Sequence, residues 1–82
     1  MHTIILKFEH HGTFVADFDV ASADARNHTH RQLLSRCADY WPELWGSSER
    51  DTLHPLNDER RDWRRWLRSL DKLTLAVILN QK

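Results

Sequence analysis

Two short segments of alternating apolar and polar residues flank a single glycine, and this arrangement constrains the fold more than any other feature of the chain. In residues 4–8 and again in residues 14–20, apolar side chains occupy the even positions. Such alternation is typical of half-buried strands. For two paired strands to share one apolar face, the numbers of paired residues must add to an even value. We therefore predict a β-hairpin that pairs Glu9 with Thr13 around a three-residue loop, with the last loop residue, Gly12, in the left-handed conformation.

Two helices are predicted after the hairpin. Ser22 is a suitable N-cap for the first, which we expect from about Ala23 to Tyr40, because Pro42 disfavours helical geometry at the residue before it. Asn57 is a suitable N-cap for the second, and the two acidic residues that follow it stabilise the positive end of a helix. The second helix places Trp63, Trp66, Leu67 and Leu70 on one face and Arg60, Arg61, Arg64, Arg65 and Arg68 on the opposite face.

The last apolar segment, residues 73–79, also alternates and contains β-branched residues, which predicts a third strand. The predicted order is ββααβ, an α+β two-layer sandwich in which two helices cover one face of a three-stranded sheet. With 82 residues, the chain is expected to form a single domain, residues 1–82. The expected core joins the apolar face of the second helix to Phe8, Phe14, Leu33, Cys37, Leu75 and Val77.

The formal net charge is zero, but the two signs are unevenly distributed along the chain. Residues 1–59 carry 5 basic and 10 acidic side chains, whereas residues 60–82 carry 7 and 2. Such polarity steers partners of opposite charge. The arginine face of the second helix is therefore a candidate surface for phosphates or for an acidic protein, and Trp63 and Trp66 near it could stack on bases.

The outer face of the predicted sheet is a second candidate surface. Asp17 and Asp19 are expected to project from it about 6.6 to 6.8 Å apart, a spacing at which carboxylates can imitate the phosphates of a nucleic acid. The same face carries the apolar residues Ile5, Val15, Ala76 and Ile78. Because no predicted element covers them, this face is expected to bind a partner or a second copy of the chain.

Six histidines and one cysteine form no catalytic or metal-binding pattern. His28 and His30 lie two residues apart on a helix, so their side chains diverge by about 200° and cannot share a zinc ion. The lone Cys37 excludes an internal disulfide and a cysteine-based zinc site, and its apolar neighbours indicate an unreactive core thiol. We predict no metal, no cofactor and no enzymatic activity. A toxin-like small RNase with His11 or His28 as base and an arginine holding the phosphate is the catalytic alternative.

These features predict a small non-enzymatic binding protein. In its most specific form it is an inhibitor that docks on a protein complex that handles nucleic acid, comparable in size and charge polarity to phage-encoded inhibitors such as anti-CRISPR proteins; the comparison is an analogy, because such proteins share no sequence signature. Direct binding of DNA or RNA through the arginine face is the alternative. The expected binding residues are Arg60, Arg61, Arg64, Arg65, Arg68, Asp17, Asp19, Ile5 and Val15. The apolar N-terminal stretch is too short for a signal peptide or a membrane span, so the expected location is the cytoplasm.

Overall fold

The structure is a computed structural model that describes residues 2–8, 12–38 and 57–81. Within these ranges the fold is mixed α+β, with two strands followed by four helices. The strands β1 (Thr3–Phe8) and β2 (Gly12–Asp17) form an antiparallel sheet, and the helices are α1 (Phe18–Asn27), α2 (His30–Ala38), α3 (Asn57–Arg68) and α4 (Lys72–Leu79).

The predicted hairpin is confirmed, with a pairing register two residues away from the expected one. Phe8 pairs with Gly12 and Leu6 pairs with Phe14, whereas the prediction paired Glu9 with Thr13. The paired numbers still add to an even value, so the even-numbered side chains of β1 and β2 share the inner face as expected. Phe18 and Val20, which were predicted to extend this apolar row, are instead exposed residues of α1. Gly12 has a φ of 82°, the left-handed conformation that glycine adopts without steric cost. The turn residues 9–11 lie outside the described residues.

The second strand ends at Asp17, three residues earlier than predicted. The Asp17 carboxylate accepts hydrogen bonds from the backbone N–H groups of Asp19, at 2.8 Å, and Val20, at 3.3 Å, and thereby caps α1. The Phe18 N–H donates to the carbonyl of His2 at 2.7 Å, which ties the start of α1 to the sheet. The predictions that the strand continues to Val20 and that the helix begins after Ser22 are therefore wrong.

The single helix expected from Ala23 to Tyr40 is two helices in the described residues. The backbone is extended at His28, with φ −128° and ψ 151°, and α2 begins two residues later. Thr29 and Gln32 form a capping box: the Thr29 N–H donates to Gln32 Oε1 at 2.8 Å, and the Gln32 N–H donates to Thr29 Oγ1 at 3.1 Å. This reciprocal cap begins α2 after the extended residue His28. Residues 39 and 40 lie outside the described residues.

The prediction of a third strand is wrong, because residues Lys72–Leu79 form α4. Asp71 caps this helix by accepting the Thr74 N–H at 2.8 Å, and the Asn80 N–H donates to the Ala76 carbonyl at 3.1 Å at its other end. The fully buried residues of α4 are Leu75, Ala76, Val77 and Ile78. A helix that is apolar on every side belongs in the interior, and α4 accordingly lies at the centre of the fold, against α1, α2 and β2. The described residues therefore do not form the predicted three-stranded sandwich of order ββααβ.

One apolar core joins the hairpin to the helices, and the contacts expected of α3 are confirmed. Its members include Phe14, Leu33, Cys37, Trp63, Leu67, Leu75 and Val77, with Phe8, Trp66 and Leu70 partly buried against them. The ring of Trp66 meets that of Phe8 edge to face at 4.9 Å between centroids and lies 4.9 Å from that of Trp63. These aromatic contacts fix the rotation of α3, so that its arginines point away from the core.

Candidate binding groove

The exposed face of α3 is strongly basic, as predicted. Because Trp63 and Leu67 are buried, the side chains on the opposite side of the helix face solvent. The exposed arginines of this face are Arg61, Arg64, Arg65 and Arg68. The side chain of Arg60 lies outside the described part of the chain. The structure therefore places four of the five predicted arginines together on one surface.

A groove of about 220 Å³ lies between α2 and α3 and joins this surface to a further arginine. Its lining residues are Arg31, Leu34, Ser35 and Ala38 from α2 and Arg64, Leu67 and Arg68 from α3. On each helix these positions follow the three- and four-residue spacing of one face. We call this feature the arginine groove.

The depth of the lining residues gives the arginine groove an apolar base and a cationic rim. Leu67 is fully buried beneath the groove, the half-buried Leu34 and Ala38 form its accessible apolar base, and Arg31, Arg64 and Arg68 are exposed. No carboxylate in the described ranges forms an ion pair with these three arginines. Each guanidinium offers five N–H donors in a planar fork that matches a carboxylate or a phosphate. The groove therefore presents anion-binding groups around a surface that favours apolar contact.

Sequence reasoning missed Arg31, which completes the arginine groove. Arg31 is 33 positions before Arg64, and the signal that could have placed it was the shared face of Arg31, Leu34, Ser35 and Ala38 on one helix. That face becomes one wall of a groove only because α2 packs beside α3. The apolar residues used to predict the core indicate that packing but not the side on which the arginines meet.

The second candidate surface, built on Asp17 and Asp19, does not have the predicted form. Asp17 caps α1, and Asp19 lies in the first turn of that helix. The negative charge of Asp19 there interacts favourably with the positive end of the helix dipole. The two carboxylates therefore do not project from one strand, and their expected resemblance to successive phosphates is lost. This prediction failed because an aspartate at a strand end can also begin a helix.

The apolar part of the outer sheet face is smaller than predicted. Ile5 is 57% exposed and pairs directly with the half-buried Val15, so these two residues lie on the outer face as expected. Ala76 and Ile78 are wholly buried in α4 and contribute nothing to it. The described part of this face thus offers Ile5 and Val15 on two adjacent strands.

The side chains of His28, His30 and Cys37 make contacts within the fold. His28 Nδ1 donates to the Asp24 carbonyl at 3.0 Å, and His30 Nε2 donates to the Leu70 carbonyl at 2.8 Å, since a carbonyl oxygen can only accept. No group of three possible metal ligands occurs in the described ranges. Cys37 is buried, and this burial raises the pKa of its thiol to about 12, which keeps it protonated near neutral pH. His11 of the RNase alternative lies outside the described residues.

Comparison with protein-family models, with curated proteins and with solved structures finds no match to this chain. None of the described helices combines the length and the apolar character that a membrane span requires. Among the described residues, the arginine groove and the exposed odd-numbered residues of β1 are the surface features from which we argue a binding function.

Proposed function

We propose that this chain is a non-enzymatic binding protein whose arginine groove docks on an acidic, partly apolar segment of a partner protein. The observation that carries the proposal is the convergence of Arg31 from α2 with Arg64 and Arg68 from α3 around the half-buried Leu34 and Ala38. Guanidinium groups pair with carboxylates through two parallel hydrogen bonds, and arginine beside an apolar contact is typical of the residues that dominate protein interfaces.

A protein segment uses this groove more fully than a nucleic acid does. Stacking on bases requires exposed aromatic side chains, but Trp63 is buried and Trp66 packs among Phe8 and Phe14. Contacts to phosphates alone would leave the apolar base of the groove unused. A helix or loop with carboxylates on one side and leucine or phenylalanine on the other satisfies both parts. That the partner handles nucleic acid and that docking inhibits it stay predictions.

The test uses a fluorescently labelled helical peptide with glutamates on one face and leucines on the other. Binding to the wild-type protein should shift the methyl NMR signals of Leu34 and Ala38, the half-buried apolar residues of the groove. Replacing Arg64 and Arg68 by Glu should weaken peptide binding by about tenfold or more. Two guanidinium–carboxylate pairs are lost, and the two new glutamates repel the carboxylates of the peptide.

The matched control is the double variant Arg26→Glu with Arg36→Glu, which makes the same charge change at two exposed arginines outside the groove. Its affinity for the peptide should stay within about twofold of wild type, since neither side chain lines the groove and interactions between exposed charges are screened by salt. Thermal melting should show little change for the groove variant, because exposed charges contribute little to stability.

Two results would overturn the proposal. Equal peptide binding by the wild type and the Arg64→Glu, Arg68→Glu variant would exclude the groove as the site. Tighter binding of labelled single- or double-stranded DNA or RNA than of the peptide, with affinity that falls steeply as salt rises, would establish direct nucleic-acid binding in its place.

A further inference from the structure

Within the described residues, the backbone of β1 is paired along one edge and unpaired along the other. The Phe18 N–H donates to the His2 carbonyl, in line with the pairing of Thr3 with Asp17. In an antiparallel pair, hydrogen-bonded and non-hydrogen-bonded positions alternate, so the even-numbered residues of β1 are the ones that bond to β2. The backbone N–H and C=O groups of Thr3, Ile5 and Lys7 therefore point away from β2.

No described element covers this edge. The helices α1 and α4 pack on β2, and none of the described helices packs against β1 to a comparable extent. Thr3, Ile5 and Lys7 are all exposed, and Ile5 is the most exposed large apolar residue of the described chain at 57%. A strand with unpaired backbone groups is a template for pairing with another chain. Charged residues on an edge strand oppose such pairing, and β1 has one, Lys7.

We propose that two copies of this chain associate through the open edge of β1, giving a continuous four-stranded antiparallel sheet of order β2–β1–β1–β2. The occupant is a second copy because the edge is complementary to itself. With a twofold axis at Ile5, Ile5 faces Ile5 of the second copy, and Thr3 faces Lys7 in both directions. This register alone pairs all three edge residues. A shift that centres the axis on Ile4 or Leu6 pairs only two of them, and one that centres it on Lys7 opposes two like charges.

Side chains on the outer face support the same register. Ile5 and Val15 from both copies form one apolar row of four residues across the sheet. In the adjacent row, Lys7 of the second copy lies beside Thr3, which pairs with Asp17. The backbones of these two oppositely charged residues are therefore two strand spacings, or about 10 Å, apart across the sheet. A lysine side chain can bridge much of that separation. The zero net charge of the chain adds no long-range repulsion between copies.

The expected dimer is weak, because pairing one strand of six residues buries less than the roughly 800 Å² per partner of a standard interface. Sedimentation velocity from 10 μM to 1 mM should show the mass of the wild type doubling with concentration. Ile5→Glu and Ile5→Lys should each be monomeric throughout, because like charges then face each other. An equimolar mixture of the two variants should dimerise again, because Glu then faces Lys. The control variant Thr13→Glu adds a charge to the same face of the sheet, but on β2 and away from the dimer edge. It should still dimerise.

Hydrogen exchange reports on the edge directly. The amides of Thr3, Ile5 and Lys7 should become slower to exchange as protein concentration rises, whereas those of Ile4 and Leu6 are protected at every concentration. The proposal is overturned by a wild type that is monomeric at 1 mM, by a Glu and Lys mixture that does not associate, or by edge amides that do not respond to concentration. The Arg64→Glu, Arg68→Glu variant should still dimerise, because these residues lie in the arginine groove and not on β1. The dimer proposal can therefore fail while the proposed function of the groove holds, and the reverse.

Discussion

Trp63 has the largest fully buried side chain among the described residues, and its packing is the sharpest test at the scale of a single residue. It is 1% exposed, and its ring lies 4.9 Å from Trp66 and 6.4 Å from Phe14 between centroids. Trp63→Ala should lower the free energy of unfolding by about 3 to 5 kcal/mol, because it leaves a large cavity in the core. The same change at the half-buried Trp66 should lower the free energy of unfolding by a smaller amount. Urea denaturation measures both, and a loss below about 1 kcal/mol for Trp63 would contradict the orientation of α3.

Residues whose role depends on local spacing could be predicted, and those whose role depends on a choice between two local structures could not. The helical spacing of Trp63 and Leu67 determines which side of α3 is buried, and the left-handed conformation at Gly12 follows from the position of glycine at the turn. Asp17 is different, because an aspartate at that position is compatible with an exposed strand site and with an N-cap. The hydrogen bonds from the amides of Asp19 and Val20 decide between them.

Among the elements, α4 depends on Asp71 for its start. Hydrogen bonds from Thr74 lower the pKa of the Asp71 carboxyl below its ordinary value of 3.8. A group whose pKa is lower in the folded state contributes its stability above the unfolded-state pKa, and that stability is lost as pH falls through the folded-state pKa. The capping contribution of Asp71 should therefore be complete near neutral pH and disappear in acid.

Asp71→Ala should lower the free energy of unfolding by about 0.5 to 2 kcal/mol at pH 7, the usual cost of losing an N-cap. The difference from wild type should be smaller at about pH 2 than at pH 7, because the carboxylate gains a proton as pH falls through its lowered folded-state pKa. Asp71→Asn is the matched variant, because it keeps an acceptor for the Thr74 N–H but does not titrate. Urea denaturation at the two pH values checks the effect, and equal stability of Asp71→Ala and wild type at pH 7 would exclude the cap.

The helical state of α4 could not be read from its own residues. Leu73, Leu75, Val77 and Leu79 alternate as in a strand, but Ala76 and Ile78 between them are apolar too, so the segment is equally suited to an element buried on all sides. The rest of the fold decides between the two. A third strand would need an edge of the hairpin for its backbone hydrogen bonds, whereas a helix satisfies its own and can lie at the centre of the core.

At the scale of the whole molecule, one part of the arginine groove could be predicted from the sequence and the other part could not. The basic face of α3 follows from one helix, but the groove needs Arg31 and the side-by-side packing of α2 and α3, a contact between segments distant in sequence. Charge polarity along the chain indicates a basic surface without giving its shape.

The connected core predicts that hairpin and helices unfold together. Phe14 and Ala16 of β2, Trp63 of α3 and the buried residues of α4 belong to one cluster, so neither the sheet nor the helices retain a core when the other is lost. A two-stranded hairpin alone is at best marginally stable in water. In a Trp41→Phe, Trp45→Phe background, the fluorescence of Trp63 and Trp66 reports on the contact between α3 and the hairpin, while far-ultraviolet circular dichroism reports on the helices. The two signals should give the same urea midpoint and the same slope. A fluorescence transition at clearly lower urea than the dichroism transition would show that the hairpin detaches from a helical unit that is stable without it.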